Sequence, residues 1–216
     1  MGLSFRAAYD GMNTLSARYG IERITFVDPN PDVASALGLH FADEPGCEVR
    51  CARFETLDQF DCMVSAANSF GLMDGGVDLA IVNYFGLELM DRVQQHILSH
   101  YFGEQPVGTC FLVETGDEEH PFVAHAPTMR VPADIRGTDN VYCAMLAVLQ
   151  AVARHNLSGG HIRHIACPGL GTLTGRMSPG EAARQMQTAC LSMRFPMESM
   201  NWPAAAVRAS NVRPRQ

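Results

Sequence analysis

Two stretches combine residue types that suit chemistry. Phe60 to Ala67 (FDCMVSAA) is almost continuously apolar, as expected of a central strand covered on both faces. It runs into a glycine-rich loop, 68–76, and then a long helical region over 77–102, broken near Gly86. Residues 161–167 (HIRHIAC) read as a second strand running into a second glycine-rich loop, Pro168 to Gly175. Ser178-Pro179-Gly180-Glu181 then opens a helix to about residue 194, with proline at the first helical position and a capping-box spacing of serine and glutamate. In open α/β sheets, ligands bind beyond the carboxyl ends of the strands. Helix N-termini there offer free N–H groups and partial positive charge, and glycines let the backbone approach a ligand closely. Two such loops side by side suit a pyrophosphate. The same glycines also suit plain tight turns, and neither loop has the GxGxxG spacing of a dinucleotide fingerprint.

The elements that must position these loops follow from patterning. A helix is expected over 4–19 and a strand over 24–27, ended by the turn cluster Asp28-Pro29-Asn30-Pro31. A helix over 32–42, a strand over 47–54 and strands over 107–115 and 121–126 come next. A helix over 138–155 has Thr138 and Asp139 as candidate caps. Alternating strands and helices predict an α/β layered domain with a mostly parallel sheet. One domain is expected over 1–200, and the alanine-rich stretch 201–216 reads as a frayed, flexible tail.

Composition excludes several functions. Of 216 residues, 47% are hydrophobic and 18% charged, which places the chain among folded proteins. A formal net charge of −7 argues against partners such as bulk nucleic acid or an anionic membrane. All 16 basic residues are arginines. With no lysine there is neither a Schiff-base nucleophile nor a GxxxxGK[ST] phosphate loop. The 7 cysteines are scattered, odd in number and without a CxxC pair, which fits reduced, buried thiols and a cytoplasmic setting. The N-terminus has no signal-peptide core, and the best apolar stretch, Ala144 to Ala153, is far shorter than the about 20 residues that span a bilayer.

Asp61 to Ile81 (DCMVSAANSFGLMDGGVDLAI) resembles the macro domain motif, a strand ending in a VNAAN-type sequence followed by a GGGV(D/A)xAI loop and helix. Residues 168–186 (PGLGTLTGRMSPGEAARQM) resemble the family's second loop, and Phe122 to Pro127 (FVAHAP) resembles the strand between. The likeness runs over about 46–195, and the form with NSFG, APTM and PGLGT also looks like a bacterial and phage-associated branch.

This resemblance implies a three-layer α/β/α sandwich with a mixed, mostly parallel central sheet, and an ADP-ribose site at the sheet's carboxyl edge. It implies that Asn68 holds the ribose distal to adenine. Gly75, Gly76 and Val77 would give N–H groups to the pyrophosphate, and Leu170, Gly171, Thr172, Leu173, Thr174 and Gly175 would wrap its other side. Ser65, Ala66 and Ala67 at the strand end, with Gly169 and Arg176 flanking the second loop, complete the implied binding set. Asp78 takes the place of an aspartate that activates water, and Glu55 is the candidate contact for the adenine amino group. The residue that stacks on adenine is implied to come from the C-terminal part. No metal or cofactor is implied. The chain departs from the pattern at Ser65 (asparagine in the motif), Asp74 (glycine), Val82 (histidine) and the additional Leu173. These departures bear on catalysis more than on binding.

Three functions are therefore open. One is a hydrolase of ADP-ribosyl conjugates or O-acyl-ADP-ribose, one a non-catalytic reader or scavenger of ADP-ribose, and one a phage-tail or operon-linked interaction module. Each candidate also has a plain structural role. Asp78 suits the positive end of its helix. Asn68 suits a turn, Arg176 suits an ion pair with Asp74 or Glu181, and His125 suits a satisfied core histidine. His96 and His100 suit a solvated helix face. Cys47 and Cys51 suit packing, Cys167 lacks a visible base partner, and the methionines over 186–200 suit a core.

Overall fold

The computed structural model describes residues 13–213, so most of the helix expected over 4–19 lies outside the described residues. In chain order the elements are α1 (Leu15–Tyr19), β1 (Arg23–Val27), α2 (Pro31–Phe41), β2 (Cys47–Arg50), a 3-10 turn (Phe54–Thr56) and β3 (Cys62–Asn68). Then come α3 (Gly76–Phe85), α4 (Leu87–His100), β4 (Phe111–Glu114), β5 (Phe122–Met129), α5 (Asn140–Leu157), β6 (His164–Cys167), α6 (Pro179–Arg194) and α7 (Trp202–Val212). The break expected near Gly86 separates α3 from α4; this glycine sits at φ +96°. Among the described residues no helix is long and apolar enough to cross a membrane.

The strands form one sheet in the order β2-β1-β6-β3-β5-β4. All neighbours are parallel except β4 with β5. Strand alternation divides the core into two layers. Ile24, Phe26, Cys62, Val64, Ile165 and Cys167 pack with α2, α5 and α6 on one face. Val27, Met63, Val123 and Ala166 pack with α3 and α4 on the other. The result is the expected three-layer α/β/α sandwich with a mixed, mostly parallel sheet. The Asp61 carboxylate accepts from the backbone N–H groups of Arg163 (2.6 Å) and His164 (2.8 Å), pinning the start of β6 beside the start of β3.

Two local expectations differ from the structure. Asp139 stands at the N-cap of α5 without a side-chain bond. Thr138 Oγ1 accepts from Asn140 N–H (3.4 Å), and the buried Gln185 of α6 accepts from Tyr142 N–H (3.0 Å) and donates to Thr138 O (2.8 Å), so a tertiary contact completes the capping. Within the stretch expected to fray, Trp202–Val212 forms α7. Asn201 caps its start, and Arg184 donates to the carbonyls of Asn211, Val212 and Arg213 at its end. Those carbonyls lack intrahelical partners, and a guanidinium suits the helix's negative end.

Arg184→Ala is expected to lower unfolding stability by about 1–3 kcal/mol and to expose 202–212 to proteolysis. Urea denaturation and limited digestion followed by mass analysis check both.

Candidate functional site

β3 and β6 pair only through Cys62 with Ile165 and Met63 with Ala166. Beyond these pairs the strands part. β3 continues along β5 as far as Asn68, and β6 stays with β1 as far as Cys167. Between their carboxyl ends lies a cleft of about 370 Å³, within the about 300–1,000 Å³ of small-ligand sites. It sits where the strand order reverses, the place where open α/β sheets bind ligands.

One wall is the start of α3. Its N-cap, Gly75, makes no side-chain hydrogen bond, and Gly75, Gly76 and Val77 all line the cleft. First-turn N–H groups therefore face the opening without a side-chain cap. The other wall is the second loop, held by its own backbone. Met177 N–H donates to Gly171 O (3.0 Å), and Ile135 N–H to Gly175 O (2.9 Å). Glycine is required here by packing. A Cβ on Gly171, at φ +70°, would meet Ile135 and Val141 at 2.8 Å, and one on Gly175 would meet Gly171 O at 2.6 Å. Leu173 is 75% exposed, and a Cβ on Gly76 would lie 3.8 Å from its Cδ2, so the loop tip reaches toward the opposite wall.

The second helix N-terminus at the cleft is not that of α6, which starts at Pro179, four residues past Gly175, with Ser178 accepting from Glu181 N–H. It is that of α2. Its N-cap Asn30 lines the cleft, but its Oδ1 already accepts from Asp32 N–H (3.0 Å). Beside it the Asp28 carboxylate accepts from Asn30 N–H (2.9 Å) and Gly169 N–H (3.1 Å). That end carries negative charge and suits a hydrogen-bond donor, whereas the α3 end suits an anion.

Asp78, in the first turn of α3, lines the cleft at 5% exposure. Its Oδ1 accepts from the Ser65 hydroxyl at 2.7 Å, and Oδ2 has no protein hydrogen-bond partner among the described residues. Burial raises its pKa to about 6; the Ser65 bond opposes that shift and Asp74 adds to it.

A family model described as "Macro domain" matches residues 64–186, over half of the chain. The chain belongs to the macro domain family. An uncharacterized protein of Aquifex aeolicus (strain VF5) is 33% identical over 127 residues, 58% of this chain and 70% of that protein. The macrodomain of Mycobacterium tuberculosis DarG superposes with a TM-score of 0.53 at 18% identity, covering 63% of this chain and 84% of that one. The Trypanosoma brucei macrodomain in complex with ADP gives a TM-score of 0.48 at 18% identity, covering 85% of this chain and 58% of that one.

Within this macro domain, the residues read as a site divide. Glu55, Ala66, Gly75, Gly76, Val77, Asp78, Gly169, Gly171, Thr172, Leu173, Thr174 and Gly175 line the cleft. Others do not. Asn68 is turned into its own loop: its amide donates to Leu72 O (2.7 Å), and its oxygen accepts from the N–H groups of Phe70 and Leu72. An amide so close to its own backbone bonds locally before it can reach outward. Ser65, Ala67 and Leu170 are buried beneath the cleft. Arg176 is exposed at φ +55° outside the lining and forms no ion pair among the described residues; Glu181 pairs with Arg184 instead. Asp74 is exposed and also outside the lining. Cys167 is fully buried, and burial pushes its thiol far above the usual range, which disqualifies it as a nucleophile.

The sequence reading missed Asp28, Asn30, Arg53 and Thr128 as cleft residues. Asp28 and Asn30 immediately follow a predicted strand, a position that in a parallel sheet points to the ligand edge. Among the described residues none of the cleft lining lies beyond Gly175, and Val27 to Asn30 line it instead. Arg53 holds Glu55 in an ion pair at 2.8 Å, so Glu55 enters the cleft already partnered.

Gly171→Ala is expected to lose about 1–3 kcal/mol of stability through overpacking and a left-handed backbone. Gly75→Ala, whose Cβ meets nothing within 4 Å, is expected to stay within about 0.5 kcal/mol of wild type. Parallel thermal denaturation compares the two.

Proposed function

We propose that this macro domain binds ADP-ribose in the cleft and hydrolyses ADP-ribosyl conjugates or O-acyl-ADP-ribose at the distal ribose. The observation that carries the reading is the uncapped start of α3 facing the glycine-packed second loop across the parted strands. A pyrophosphate there would accept from the N–H groups of Gly75, Gly76 and Val77 and stand against the fixed backbone of 169–175. Such preorganised donors stabilise phosphate charge without rearrangement. The adenosine end would lie toward Asp28, Asn30 and Glu55, and the carboxylates of Asp28 and Glu55 suit an amino group or ribose hydroxyls. The distal ribose would then lie by Asp78.

In this reading Asp78 Oδ2 accepts a hydrogen bond from water and directs its oxygen at the distal ribose carbon or at the ester carbonyl. The new carbon–oxygen bond forms as the bond to the leaving group breaks, and the water's proton passes toward the carboxylate. Only ionised Asp78 can do this, so turnover rises with pH through about 6. The free thiols of Cys62, Cys167 and Cys190 support a cytoplasmic setting.

The position of Asn68 favours a second reading, a binder that holds ADP-ribose without turning it over. With its amide bonded into its own loop, that side chain does not present a ribose contact.

Calorimetry with ADP-ribose tests binding first. Gly75→Glu, which adds a carboxylate to the phosphate wall without backbone strain, is expected to weaken binding at least about 100-fold, some 3 kcal/mol. Absence of heat for the wild-type protein would exclude both readings. Single-turnover assays on ADP-ribosylated protein and on O-acetyl-ADP-ribose then separate them. Asp78→Ala is expected to cut the rate by about 10²–10⁴ while leaving affinity within a few-fold. No turnover by the wild-type protein would leave only the binder, and equal non-zero rates for the two proteins would overturn the role given to Asp78.

A further inference from the structure

We propose that Ser65 is a positioning residue: its hydroxyl holds one oxygen of Asp78 from beneath, so that the other faces the cleft. This rests on the hydrolytic reading above and adds to it a group that never touches the ligand.

Placement follows from strand alternation. Met63 of β3 packs toward α3, so Ser65, two residues on, points the same way. It is 0% exposed, and Asp78, on the helix above, is 5% exposed. The bond between them is 2.7 Å long. A serine hydroxyl has one proton, and an ionised carboxylate only accepts, so Ser65 donates to Asp78 in the active form. That proton fixes the carboxylate's plane and commits Oδ1, leaving Oδ2 for the cleft.

No other group does this work. Asp74, in the loop before α3, acts in the opposite sense. α4 meets α3 through apolar residues of the same cluster, including Leu89 and Val93. On β5, His125 stands in register with Ser65 and is fully buried. Its Nδ1 lies 2.7 Å from Gln105 Oε1, and Gln105 Nε2 donates to two backbone carbonyls. Nδ1 therefore carries the proton. Burial pushes the pKa of His125 down to about 3, so it stays neutral and lends no positive charge. Among the described residues, the Ser65 hydroxyl is the one side chain that hydrogen-bonds the Asp78 anion.

The motif that the chain resembles has asparagine at this position. A serine is shorter, and its single hydroxyl proton is directed wholly to Asp78. That makes the substitution a coupled feature of this site rather than loss of a ligand contact.

The test titrates Asp78 by carboxyl-carbon NMR in the full-length, ligand-free protein, with Asp78→Asn to identify the signal. Ser65→Ala removes only a hydroxyl and is expected to raise the midpoint by about one unit, a tenfold tighter hold on the proton. Ser65→Cys, a weaker donor of similar size, should fall between and serves if the alanine variant does not fold. The acid limb of the single-turnover rate profile should move by the same amount, while ADP-ribose affinity at pH 8 stays within about threefold, under 1 kcal/mol. A midpoint within about 0.3 unit of wild type in both variants would overturn the proposal. An active protein whose rate profile does not move in Ser65→Ala would also overturn it while keeping the hydrolase. A shifted midpoint in a protein with no turnover would keep the Ser65–Asp78 coupling and overturn the hydrolase.

Discussion

The cleft exists because β3 and β6 are joined along only two residue pairs. Asp61 clamps their starts together, and each strand then follows a different neighbour, β3 along β5 and β6 along β1. A parallel ladder continued to the strand ends would bring the two loops into contact and fill the space. The early parting leaves them facing each other across a gap, with the start of α3 on one side and the second loop on the other. Every contact assigned to a ligand depends on that parting.

The walls of the gap obey different rules. The second loop is rigid because Gly169, Gly171 and Gly175 allow it to lie against Val33, Ile135 and Val141 at distances no other residue permits. The start of α3 is open space, where Gly75 meets nothing. Asp78 stands between them at the expense of stability. Its folded-state pKa, about 6, lies above its ordinary value of 3.8. Folding therefore favours the protonated form, and stability falls as pH rises from about 4 to 6, by about 3 kcal/mol for a shift of about two units. A carboxylate that the fold would be more stable without, with one oxygen pinned and the other at the cleft, is the pattern expected of a working group.

Much of this was legible in the residues. The apolar run before 68–76, the two glycine-rich loops and the Ser178 cap each carry their cause in local chemistry, and the structure places them as expected. What stayed hidden depends on partners distant in sequence. Asp28 reads as part of a turn, because Asp-Pro-Asn-Pro signals a turn whatever the carboxylate does; its bond to Gly169 joins residues 141 apart. The last helix reads as a tail because its composition buries little, and its end is held by Arg184 from another helix. The local bonds of Asn68 were hidden for the opposite reason. Its type and place fit a ribose contact, but the nearest acceptors and donors are in its own loop. Ser65 fits the strand-end motif as a ligand residue, and only the register of β3 beneath α3 turns it toward Asp78.

The most direct test is a crystal structure of the protein soaked with ADP-ribose. The pyrophosphate is expected between the N–H groups of Gly75, Gly76 and Val77 and the 169–175 backbone, with the distal ribose within hydrogen-bonding reach of Asp78 Oδ2 or of a water held by it. Density for the ligand elsewhere on the molecule, or the same ligand reversed with its adenine against Asp78, would contradict this placement.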